Sequence, residues 1–251
     1  MKKYLIISCL LVVSLQLYTQ TFQVDKLESV SYISLMTALD LTNNYVDRKI
    51  NQKLTEQDLA SLDKDNVWSF DRIAIGKYSS KHKKWSDYAV YFAIGSSLWL
   101  TYDSYDLKNN LLVFGEIMIT QSAIAKWTKS MVQRKRPYVY DEEVPDEKKF
   151  QRNSKHSFFS MHASTAFSAA TFGYFYYSKR FGGNIPVAAL LYGSAVATGL
   201  LRITSGNHYP SDIIVGAIIG SSVSYLICDY HYGDNVNMKL SSKRISISFK
   251  F

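Results

Sequence analysis

The sequence predicts an all-α protein, a bundle of about five core helices that is at least partly membrane-embedded and carries a short C-terminal strand. Three observations carry this. Five apolar-rich stretches with helical spacing, 88–102, 111–127, 162–177, 186–201 and 212–228, follow one another with turn residues between them. They are rich in Ser, Thr, Gly and Ala, as helices in close contact within membranes are. The chain then ends in the period-two alternation Ile245-Ser246-Ile247-Ser248-Phe249, a strand signal.

In chain order, Met1-Lys2-Lys3 and the apolar run to Leu17 read as a secretory signal peptide or, because small residues are sparse around Thr19 to Thr21, an uncleaved anchor over 1–20. Cys9 lies too deep in that run for a lipoprotein acceptor. Cys228 would be unpaired after cleavage, so no disulfide framework is expected. Residues 21–84 read as an N-terminal region of two or three helices, with helical spacing at 33–39 and 68–75. There Asp40, Asp47 and Arg48 are expected to form a solvated face. The core domain is expected over 85–228 and a tail over 229–251. His82 and His156 read as surface residues, and His231 has no assigned role.

Each core stretch has about fifteen to seventeen residues, against about twenty for a bilayer crossing, and Glu116 interrupts one of them. Periodicity alone therefore also fits a buried soluble bundle. The length of 251 residues allows one large domain or two small ones, and no linker argues for two. A formal charge of +8 with 47% apolar residues fits an anionic membrane surface, an acidic substrate or nucleic acid. Nucleic acid is disfavoured, because the basic residues are scattered and no nucleic-acid motif accompanies them.

Chemistry concentrates where stretch 186–201 ends. Arg202, His208 and Asp212 stand in the spacing R-x5-H-x3-D. Pro210 suits the first turn of a helix, which places Asp212 within reach of His208, where a carboxylate orients an imidazole and stabilises its charged form. Taken alone, such a block also fits local capping. Connectivity adds more. Stretches 162–177 and 186–201 are nearly equal in length and joined by the turn Lys179-Arg180-Phe181-Gly182-Gly183-Asn184, so an antiparallel hairpin returns Arg202 and His208 to the level of His162. Stretch 111–127, entered from the other side, delivers Lys129 and Arg136 to the same face. In a bilayer, Lys179 and Arg180 suit a cytoplasmic turn, although Lys81, Lys83, Lys84, Arg134 and Lys135 would then lie outside.

Phosphoryl transfer needs fixed positive donors around the equatorial oxygens. Lys129, Arg136 and Arg202 supply three cations, and backbone N–H groups near Ser160 and Met161 lie just before a helix start. The blocks K-x6-R-P (Lys129 to Pro137), Ser160-Met161-His162, and Arg202 to Asp212 together resemble the signature of the type 2 phosphatidic acid phosphatase superfamily. That superfamily also includes class A acid phosphatases and vanadium haloperoxidases. The resemblance covers roughly 85–228.

It implies that His208 is a nucleophile forming a phosphohistidine, that Asp212 holds its far nitrogen, and that His162 protonates the leaving oxygen and then activates water. It also implies that Lys129, Arg136 and Arg202 grip the phosphate with Ser160 and Met161, with no metal or other cofactor. The second block is usually P-S-G-H, whereas Phe159 and Met161 replace its Pro and Gly here. Leu201 stands where a Ser usually precedes the Arg. These departures bear on substrate fit more than on reaction type.

The expected function is a metal-independent phosphatase of the bacterial envelope, in the cytoplasmic membrane with its site facing the periplasm. Its substrate would be a lipid phosphate such as phosphatidate, phosphatidylglycerol phosphate, undecaprenyl diphosphate or lipid A. A soluble periplasmic broad-specificity acid phosphatase, a vanadate-dependent haloperoxidase and a non-catalytic phosphate- or lipid-binding envelope protein are the alternatives.

Overall fold

The computed structural model describes residues 21–103 and 106–232, and the backbone of 236–241 and 244–249. The expected leader and Cys9 lie outside the described residues. Six long helices form the bundle: α1 (Lys26–Ile50), α2 (Ser80–Leu100), α3 (Leu107–Val132), α4 (Met161–Phe181), α5 (Ile185–Thr204) and α6 (Pro210–Tyr232). The five core helices are those expected, but each is longer. Apolar periodicity stops where the end turns become polar, whereas backbone hydrogen bonding continues. Thus α2 starts at Ser80, where the Ser79 hydroxyl accepts from the His82 N–H, and includes the polar turn Lys81 to Lys84. Lengths of 20 to 26 residues remove the shortfall against a bilayer.

The N-terminal region holds two helices, the 25-residue Lys26–Ile50, capped by Asp25, and the short Glu56–Ala60, but the stretch expected to be helical at 68–75 is a turn closed by a 3-10 segment, Arg72–Ala74. Of the residues expected to be solvated, Arg48 is exposed, whereas the two aspartates are not. Asp40 is buried and paired with Lys126 at 2.5 Å, and Asp47 accepts from the Ser130 hydroxyl at 2.8 Å.

At the centre is α4, packed on α6, α5, α2 and α3, while α1 lies along α3. Small residues permit this. Ala163, Ala166, Ala169 and Ala170 of α4 are fully buried. A Cβ on Gly220 would stand 2.2 Å from the Ser164 carbonyl oxygen, and one on Gly216 2.7 Å from that of Ser160. At such range hydroxyls bond neighbouring backbones: Ser168 donates to the Gly220 carbonyl at 2.9 Å and Ser97 to that of Ala169 at 2.7 Å. Residues 21–22 enter at the end away from His162 and His208, where the Thr21 N–H donates to Asp106 and the Asn109 amide to the Phe22 carbonyl. Arg180, at this end, donates to Asp103 at 2.8 Å. In the interior Glu116 meets His231 at 2.8 Å, so the charge that interrupts α3 is partnered.

Helices α5 and α6 are long and apolar enough to cross a membrane, and only 28% of the apolar window of each is buried. Ile185, Leu190, Leu200, Ile218 and Leu226 face outward. The terminal strand is β2 (Arg244–Phe249), and its partner is β1 (Val236–Ser241), antiparallel with Val236 opposite Phe249.

The two kinds of helical glycine should behave oppositely. Gly220→Ala drives a methyl into backbone and should cost about 1–3 kcal/mol or more. Gly193→Ala in α5 meets nothing within 4 Å and should be neutral or gain up to about 1 kcal/mol. Thermal unfolding of both variants in detergent checks the contrast.

Candidate active site

The α4–α5 hairpin does return Arg202 and His208 to the level of His162. Helix α5 ends at Thr204, and Gly206, at φ 65°, turns the chain in a conformation open to glycine. A Cβ there would also stand 3.3 Å from the Tyr78 backbone. At the parallel level α3 ends on Gln133, itself left-handed at φ 48°, which redirects the chain through Arg134 to Arg136.

His208 is 1% exposed. Its Nδ1 lies 2.7 Å from the Ser157 carbonyl oxygen, which can only accept, so Nδ1 carries the proton and Nε2 keeps the lone pair. Asp212 approaches the same nitrogen at 3.6 Å, beyond hydrogen-bond distance. The Asp212 carboxylate instead accepts from Arg134 Nη1 at 2.6 Å, the Ser157 hydroxyl at 2.5 Å and the Tyr209 N–H at 2.9 Å. The last bond closes the first turn of α6 in the manner of a capping box. Burial, and then Arg136, Lys129 and Arg202, hold the His208 pKa well below the ordinary histidine value.

Three cations surround this ring in one cavity of about 700 Å³, lined by Lys129, Arg136, Met161, His162, Arg202 and His208 among others. Lys129 Nζ donates to the carbonyls of His156 at 2.9 Å and Phe159 at 2.6 Å, leaving one N–H of the ammonium. Arg136 donates Nε to Asn153 and Nη1 to Asn207, leaving Nη2. Arg202 donates Nη1 to Ser86 at 3.2 Å, and its Nε is buried without a partner.

Ser160 lies outside the cavity wall. Its hydroxyl accepts from the Ala163 N–H as the N-cap of α4, and its own N–H donates to the Asp212 carbonyl at 3.1 Å. Of the two residues with expected backbone donors, Met161 alone lines the cavity.

Four participants escape the sequence reading. Asp87 of α2 sits 2.9 Å from His162 Nε2 and 3.8 Å from Arg202 Nη1. Arg134 joins Asp212 to Asp71, at 2.7 Å from the latter, and packs over the Tyr209 ring. Ser157 supplies both a carbonyl and a hydroxyl. His156 is no surface residue: it lines the cavity, pairs with Asp47 at 3.0 Å and bonds Asn51. His82 is half-buried beside the Thr204 carbonyl. Of these four only Arg134 lies within one of the sequence blocks, where it is one of four basic residues, Lys129, Arg134, Lys135 and Arg136.

Residues 110–235 match the PAP2 superfamily, half of the chain. The chain belongs to the PAP2 superfamily. This PAP2 protein is a phosphatase, and its helical bundle is of that type. Two solved structures are similar. LpxE of Aquifex aeolicus is 22% identical, with 63% of this chain and 92% of that chain covered and a TM-score of 0.46. A transmembrane PAP2 type phosphatidylglycerolphosphate phosphatase of Bacillus subtilis is 19% identical, with 78% and 94% covered and a TM-score of 0.44. No curated protein sequence matches. The PAP2 match begins inside α3, so α1, with Asp47, and α2, with Asp87, lie before it.

Arg134→Met leaves Asp212 and Asp71, both essentially unexposed, without their cation. A loss of stability on the order of 3 kcal/mol is expected, read as a fall in melting temperature. Arg134→Lys should recover part of it.

Proposed function

We propose that the protein hydrolyses a phosphate monoester or pyrophosphate group of a membrane lipid, without a metal, through a phosphohistidine on His208. The fixed tautomer of His208 carries this reading: Nδ1–H is held by Ser157, and the nucleophilic nitrogen belongs to a ring lining the three-cation cavity. In the proposed reaction Nε2 forms a bond to phosphorus as the bond to the leaving oxygen breaks, and His162, held by Asp87, protonates that oxygen. Water then gives a proton to His162 and displaces the phosphate from Nε2. Lys129, Arg136 and Arg202 offset charge on the equatorial oxygens, with Met161 on the cavity wall. Ser160 acts as the helix cap that places Met161 and His162, and Asp212 fixes Ser157 and the start of α6. The lining set is cationic with the single carboxylate Asp47, which favours an anion over a divalent metal.

The lipid part is supported by the surface. Outward-facing apolar residues cover α5 and α6, and exposed Trp85 and Tyr88 flank Asp87 on α2, the partner of the cavity residue His162. Amphipathic aromatics at such a level suit a headgroup boundary. The cavity is proposed to face outward, since the leader expected over 1–20 supports export. A membrane-impermeant maleimide should label Gln151→Cys in intact cells, and labelling only after lysis moves the cavity inside.

Phosphate release from lipid and soluble phosphates by the purified protein, with a chelator present, tests the reaction. Turnover of lipid phosphates that survives chelation and falls by at least about a thousandfold in His208→Ala is expected; metal-dependent or His208-independent release defeats the mechanism, and turnover of soluble esters alone defeats the lipid reading. The pH profile adds an independent check. The reaction needs His208 unprotonated and His162 protonated, and burial, with Arg202 beside it, pushes the His162 pKa down to about 4 while burial and the clamp cations also lower that of His208, so kcat/KM should peak on the acid side of pH 6.5 and decline as pH rises above it.

A further inference from the structure

The cavity holds more than one phosphate needs. Its volume of about 700 Å³ lies in the range of pockets that enclose a whole small ligand, about 300–1,000 Å³, whereas the clamp of Lys129, Arg136 and Arg202 is only part of the lining. Beyond the clamp Arg48 of α1, Lys83 of α2 and Arg152 also line it. None of these three side chains has an ion-pair or hydrogen-bond partner among the described residues. Other basic side chains at the wall are already engaged: Lys126 pairs with Asp40, and Lys148 donates to the Tyr78 hydroxyl at 2.6 Å and lies over the Tyr78 ring. The one lining carboxylate, Asp47, is taken up by Ser130 and His156.

Two bonds tie together the segments that carry Arg48 and Arg152. The bond between Asp47 and His156 at 3.0 Å, and that from Lys155 Nζ to the Gln52 carbonyl at 3.3 Å, fasten the C-terminal half of α1 to the segment 151–156. That segment in turn reaches the clamp, since Lys129 bonds the His156 carbonyl. These bonds link the clamp to the segments that carry Arg48 and Arg152, whose guanidinium groups have no partner among the described residues, and guanidinium groups suit bidentate contact with phosphate or carboxylate.

We propose that Arg48 and Arg152 form a second anion station for an acidic group of the substrate that is not the group removed. Resting on the phosphatase reading of the clamp, this makes the preferred substrate a lipid whose headgroup carries two anionic groups. Either the inner phosphate of a diphosphate or a second, separate phosphate of the headgroup supplies that chemistry. Arg48 lies before the residues that match the superfamily and Arg152 within them, so the station joins this chain's N-terminal helix to the matched region.

The test compares three substrates with the same short acyl tails: a phosphate monoester, a diphosphate, and a headgroup bearing two separated phosphates. Wild type, Arg48→Gln, Arg152→Gln and the double variant are measured, with thermal unfolding to verify the fold. Wild type should favour a two-anion substrate in kcat/KM by about tenfold or more, and the double variant should lower that preference about tenfold. Whether the diphosphate or the separated pair is preferred identifies the source. No preference in wild type, or an equal loss on all three substrates in the variants, overturns the station. Calorimetric binding of a non-hydrolysable bisphosphonate against a monophosphonate keeps the proposal falsifiable without turnover. Binding that favours the bisphosphonate and needs Arg48 and Arg152, with no turnover of any substrate, overturns the phosphatase reading alone; equal binding of both overturns the station.

Discussion

Asp212 is a carboxylate with no exposure, and a buried charge of this kind persists only when donors surround it. Its donors come from three distant parts of the chain: Arg134 after α3, Ser157 before α4, and the Tyr209 backbone at the entry to α6. Satisfying one carboxylate therefore joins the ends of three helices. The histidine four residues earlier inherits its geometry from that junction, because the Ser157 that donates its hydroxyl to Asp212 offers its carbonyl to His208. Ring orientation and tautomer follow from the fold of the junction, and the carboxylate acts on the ring through Ser157 as well as through its field.

The junction in turn requires that α4 and α6 nearly touch. Backbone contact at Gly216 and Gly220 sets the interhelical distance, and any larger residue there would part the helix ends that carry His162 and Asp212. Alanine and serine on α4 serve the same end, with serine hydroxyls bonded to neighbouring carbonyls so that close approach leaves few polar groups unpaired.

Electrostatics at the cavity floor is one-sided. Lys129, Arg136 and Arg202 are held close together by backbone carbonyls and amide oxygens more than by carboxylates. Burial and the repulsion of the neighbouring cations favour neutral His208, the state the proposed nucleophile needs, and Arg202 Nε is a buried donor with no partner among the described residues. An arrangement of this kind is relieved by an anion. Its stability is thus coupled to the ligand it is built to bind.

The sequence determined the helices, since apolar periodicity and turn residues are local, and it determined the three blocks, whose order and spacing suffice to align His162, Arg202 and His208 across a hairpin of equal arms. Tertiary structure alone decided the partners. Asp87, Ser157 and His156 carry no local mark, and the basic run 134–136 does not single out Arg134, because what makes each of them part of the site is a neighbour 51 to 109 positions away. Asp40 and Asp47 read as solvated for the same reason: a helix face looks polar whether water or Lys126, Ser130 and His156 lies against it. Ser160 shows the converse, a motif residue whose backbone and hydroxyl are spent on capping α4 and bonding Asp212. Hydrogen-bond partners are chosen by which segments meet in space, and that is set by packing of the whole bundle.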